Sequence, residues 1–74
     1  MTDARPATNY GRWCSDVHFL LEVQARQDGM PDDMVKRVVD WARTAMPQKR
    51  IMFDDWQSTS QAADSLYHLS ADHV

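Results

Sequence analysis

Apolar side chains fall along the chain in three groups, each spaced for one face of a helix. From about Tyr10 or Arg12 to Gln27, the residues Tyr10, Trp13, Cys14, Val17, Leu20 and Leu21 keep the i, i+3, i+4 interval of a helical stripe. Asp28-Gly29 followed by Pro31 marks its end, because glycine accepts a left-handed cap and proline cannot continue the helix. Val17, Phe19, Leu21 and Val23 also alternate with His18 and Glu22, which is the period of a short strand. Leu20 breaks that alternation and Ala25-Arg26-Gln27 extend a helix-favouring composition, so a helix is expected.

The second group is bounded by prolines. Pro31 suits the first position of a helix, Asp32 and Asp33 complement the positive end of its dipole, and Pro47 is read as its stop. Between them Met34, Val35, Val38, Trp41, Ala42, Ala45 and Met46 form one broad stripe with Val39 on its margin. Lys36, Arg37, Asp40 and Arg43 face the other way. The segment Gln48-Lys49-Arg50-Ile51-Met52-Phe53 is basic and then apolar, an extended stretch or the lead-in to a last helix. That helix has Asp54, Asp55, Ser58 or Ser60 as caps and Ala62, Ala63, Leu66 and Leu69 as its stripe, with Tyr67 beside it. The expectation is an all-α fold, a small three-helix bundle, with a short extended segment near residues 49–53 as a variant. Its organisation is read as a flexible arm over 1–9, a single helical domain over 10–70 and a frayed end over 71–74.

Composition narrows the function classes. Seventy-four residues make one small domain, and a lone cysteine, Cys14, excludes an internal disulfide framework. Below roughly 70–80 residues a single core seldom contributes more than about 3–5 kcal/mol, so an interface would add weight. The first eight residues lack the apolar core of a secretory signal, and no run approaches a membrane span, so the cytoplasm is the expected compartment. Net charge is −3. Residues 51–74 carry Asp54, Asp55, Asp64 and Asp72 with no Lys or Arg, whereas residues 30–50 hold Lys36, Arg37, Arg43, Lys49 and Arg50.

Catalytic and cofactor chemistry is not expected. Gly11 and Gly29 are the only glycines, so no phosphate-binding loop can be written. Cys14 with His18, and Asp64 with His68, have an i, i+4 spacing from which a zinc site is imaginable, yet a packed thiol and a surface imidazole explain both pairs. Ser65 diverges from His68 on a helix, which leaves no triad. A helix-turn-helix is suggested by the spacing of Ala25, Gly29, Val35 and Val38. It fails where Gln24 and Asp28 take apolar positions and Pro31-Asp32-Asp33 would open the recognition helix. Enzyme, metal, cofactor, membrane and nucleic acid are accordingly not expected.

What remains is a surface for another protein. Phe19 and Val23 lie one turn apart, off the Trp13–Leu20 stripe and flanked by Arg12 and Arg26, and aromatic residues beside arginine are enriched at binding hot spots. A second surplus is Phe53 and Trp56, with Met52, set between Lys49-Arg50 and Asp54-Asp55. The partner-binding residues expected are therefore Arg12, Phe19, Val23, Arg26, Lys49, Arg50, Phe53, Asp54, Asp55 and Trp56. The function expected is a non-enzymatic regulator or inhibitor that covers a surface on a larger protein or complex. As a class, small acidic chains of this kind are frequent among phage-encoded inhibitors of host machines such as RNA polymerase or a defence nuclease. The alternatives are a weak nucleic-acid-binding regulator using the basic residues of 36–50, and a homodimeric helical module burying Phe19 and Val23.

Overall fold

A computed structural model describes residues 9–55 and 57–73. The described residues form four helices, α1 (Tyr10–Gln27), α2 (Asp32–Thr44), α3 (Met46–Asp54) and α4 (Thr59–Ser70), with no strand. The all-α expectation holds, and the three-helix count is corrected to four. Residues 1–8 of the expected arm, Trp56 and Val74 lie outside the described residues.

Each boundary has a local cause. The Asn9 side chain accepts from the Arg12 N–H at 2.8 Å and caps the start of α1. At the other end Gly29 takes φ +81°, the Gly29 N–H donates to Arg26 O and the Met30 N–H reaches back to Ala25 O at 3.1 Å. These bonds make a Schellman stop, closed by apolar packing of Met30 against Ala25. Asp32 and Asp33 occupy the first turn of α2 as anticipated.

Pro47 was read only as a stop, and it does two things. Its ring and missing N–H prevent α2 from continuing, so that helix closes at Thr44 and Ala45 turns the chain with ψ 56°. The same proline fits the first turn of a helix, where no intrahelical donor is needed, and α3 begins there. Residues 49–53 are thus helical, not extended. Ser58 caps α4 by accepting from the Gln61 N–H at 3.1 Å. Beyond α4, where fraying was expected, the N–H groups of Ala71, Asp72 and His73 donate back to His68, Leu69 and Ser70. The His73 ring stacks on Trp41 at 5.0 Å.

The long helix α1 touches all three others. It runs parallel to α4, since Gln24 meets Asp64 and Asp28 meets Tyr67 along its length. It runs antiparallel to α2, to which the short turn at Gly29 returns it. Trp13, Val17 and Leu21 of α1, Val38 and Ala42 of α2, Met52 and Phe53 of α3, and Ala62, Ala63 and Leu66 of α4 make one core. Four alanines at the helix contacts, Ala25, Ala42, Ala62 and Ala63, let backbones approach closely. Met46 and Leu69, placed on core stripes by periodicity, are exposed instead. Met46 left its stripe when Pro47 reset the helix.

Candidate functional site

The outward line of α1 carries Arg12, Phe19 and Arg26, seven residues apart and so two turns from one another. All three are exposed, Phe19 to 64%. Arg26 is braced by Glu22 at 3.2 Å and by Asp32 at 3.0 Å, which ties the line to the start of α2. Exposed pairs of this kind contribute little stability, but they hold the guanidinium in place. Phe19 forms one wall of a groove of about 270 Å³ between α1 and α2, with Ser15, His18, Glu22, Val39 and Arg43. Val23, one turn on, lines a different groove with Leu20, Gln24 and residues of α4. The two apolar residues, one turn apart on α1, therefore border two neighbouring grooves.

The second expected patch does not assemble as a surface. Phe53 is buried in the core, edge-on to Tyr10 at 5.1 Å and to Trp13 at 5.4 Å. Lys49 is buried as well, 1% exposed. Both were expected at the surface and are corrected, because α3 lies across the N-terminal half of α1 and turns this side inward. Arg50 stays outside, bonded to Asp54 at 3.3 Å and lying over the Tyr10 ring at 5.0 Å. Asp55 is an exposed C-cap of α3. The basic set of 36–50 is likewise dispersed, since Lys36 pairs with Asp40 at 2.7 Å and Lys49 is covered. That leaves little contiguous charge for a phosphate backbone.

The burial of Lys49 creates the most unusual polar contact in the molecule. Its Nζ lies 2.9 Å from His18 Nε2. An ammonium can only donate, so Nε2 accepts and the imidazole is neutral, with its proton on Nδ1. Burial pushes the His18 pKa down to about 4, and the charges of Lys49 and Arg43 push in the same direction against a backbone hydrogen bond with Ala42. The Lys49 ammonium is itself lowered, chiefly by burial, with the Cys14 thiol partly compensating and Arg43 adding to the shift. Tyr10 completes this corner. Its hydroxyl is buried beside the Cys14 thiol, and burial, followed by that thiol, raises its pKa. Sequence reasoning missed Arg43 and Val39 as companions of Phe19 and weighed His18 beside Cys14, as a metal ligand or thiolate partner, and not beside Lys49. No local signal pairs these positions, which lie on different helices.

Lys49, whose amine sits in a perturbed environment, is 1% exposed. Among the described residues no three His, Cys, Asp or Glu side chains converge as metal ligands, and no helix is long and apolar enough to cross a membrane. No family model, curated protein or solved structure matches this chain.

Proposed function

We propose that this protein is a binding module that docks on a larger protein through the Phe19 face of α1 and acts as a regulator by covering that surface. The observation that carries this reading is an aromatic ring left mostly in water on a helix that is capped at both ends. Leaving a phenylalanine unburied forgoes about 1–2 kcal/mol of hydrophobic stabilisation, which a partner can recover. Arg12, Arg26 and Arg43 around it supply the polar rim typical of such contacts. A rigid helix also presents the ring with little entropy to lose on association.

Substituting Phe19→Asp tests the reading. Because the ring is exposed, the helical circular-dichroism signal and the unfolding midpoint stay close to those of the parent. Affinity capture from lysate, with nuclease present, should recover a protein complex with the parent and lose it with the variant. Equal recovery by both proteins would remove Phe19 from the interface. Recovery that nuclease abolishes would replace the reading with nucleic-acid binding.

A further inference from the structure

Among the described residues Lys49 is the only charged side chain that is buried, and no carboxylate lies within ion-pair distance of it. Three acids are committed elsewhere. Glu22 holds Arg26, Asp40 holds Lys36 and Asp54 holds Arg50. Arg43 has no ion pair among the described residues either. A cation taken out of water ordinarily keeps a counter-charge, since desolvation otherwise costs several kcal/mol. Among the described residues the hydrogen-bond partner of the ammonium is a neutral imidazole.

His18 makes this imbalance felt at the surface. Its ring lines the groove beside Phe19, and Lys49 stands directly behind it at 2.9 Å. A buried charge acts through a low-dielectric medium, so its field in the groove is screened less than that of an exposed lysine. Arg43 adds an exposed guanidinium on the opposite wall. Phe19 and Val39 add apolar surface, and the Ser15 hydroxyl adds a further polar group. The one carboxylate lining the groove, Glu22, bonds to Arg26 at 3.2 Å, a guanidinium it shares with Asp32. On a chain of net charge −3 this sets two cationic side chains, Arg43 at the groove and Lys49 behind it, beside an exposed aromatic ring.

We propose that the groove receives an acidic segment of the partner protein: an Asp or Glu carboxylate pairs with Arg43 in front of the His18–Lys49 pair, while an adjacent apolar side chain packs against Phe19 and Val39. The inference rests on the reading of the Phe19 face as a docking surface and adds the chemistry of what docks. Arg43 makes the direct contact, and a guanidinium suits a carboxylate because two parallel N–H donors match its two oxygens. Lys49 acts at longer range through its uncompensated charge.

The test is selection of a surface-displayed random peptide library on the immobilised parent and, in parallel, on Phe19→Asp, Arg43→Glu and Lys49→Met. Retained helicity of each variant is checked by circular dichroism. The expected result is enrichment of peptides carrying Asp or Glu within a few positions of an apolar residue. A selected peptide should bind Arg43→Glu about tenfold or more weakly and Lys49→Met several-fold more weakly. Added salt should weaken its binding to the parent. Peptides that require Phe19 yet show no acidic preference would overturn the charge assignment and leave the docking face standing. Acidic peptides that bind Arg43→Glu as tightly as the parent would overturn the groove. Failure of the parent to enrich any peptide would count against the docking face itself, and this inference falls with it.

Discussion

The two sides of α1 are packed by opposite chemistry. Toward α2 and α4 the contacts are dry and small: Val17, Leu21, Ala25, Val38, Ala42, Ala62, Ala63 and Leu66 are all essentially without solvent exposure. Toward α3 the junction mixes Trp13 and Phe53 with a buried ammonium, an imidazole, a thiol and a phenol. Area removed from water stabilises the first side, and nothing polar has to be matched there. The second side holds polar groups whose hydrogen-bond demands are only partly met, so part of the gain from burying the α3 rings is offset. The α2–α4 side is thus the stability core. The α3 junction is where stability has been exchanged for charge placed close to the surface.

The comparison can be broken most severely on the dry side. Leu66→Ala removes a fully buried side chain from between α1, α2 and α4. A loss of about 3 kcal/mol is expected, a large share of what a core this size contributes, and urea unfolding followed by circular dichroism measures it.

Acid should act on the other side. The His18 pKa is about 4 in the fold against 6.5 in an unfolded chain, so between these values the unfolded state binds a proton that the folded state refuses. Stability therefore falls as pH drops from about 6.5 to 4 and levels off at either end of that window. The effect is on the order of 2 kcal/mol once partial solvent access is allowed for. His18→Asn should flatten this window without abolishing folding, which chemical denaturation at several pH values would reveal.

Lys49→Met sharpens the contrast further, because it keeps the length of the side chain and removes the buried charge. Unlike Leu66→Ala it should leave stability within about 1 kcal/mol of the parent or slightly raise it, since replacing a buried ion with an apolar chain of similar volume is often neutral or favourable. It should also bring the His18 titration back toward its ordinary range, visible in histidine proton resonances. The smallest change in stability belongs to Phe19→Asp, under about 0.5 kcal/mol, although it is expected to have the largest effect on partner capture.

Several of these features were legible along the chain. Asp28-Gly29 before Pro31 announced the end of α1, because a left-handed glycine and a proline act within a few residues. Ser58 was among the caps named for the last helix, and Phe19 was picked out because it falls off the core stripe. Pro47 was half legible: a proline shows that one helix stops, while the helix it opens depends on α3 finding a surface to cover. Lys49 was misread for the same reason. Its composition reads as surface, and only the seating of α3 on α1 draws its four methylenes and ammonium inside. That Phe19 and Val23 line different grooves likewise depends on α2 and α4 occupying different flanks of α1.

The sequence by itself determined the helical class, the caps and turns that bound α1 and α4, and the apolar stripes. Those properties follow from interactions between residues three to five apart, which any window of the chain contains. Only the tertiary structure decided that α3 exists as a separate helix, that Lys49 and Phe53 are buried, and that His18, Arg43 and Val39 gather beside Phe19. Whether a residue is buried depends on which neighbouring helix covers its side, and that is set by packing between segments some 20 to 30 residues apart.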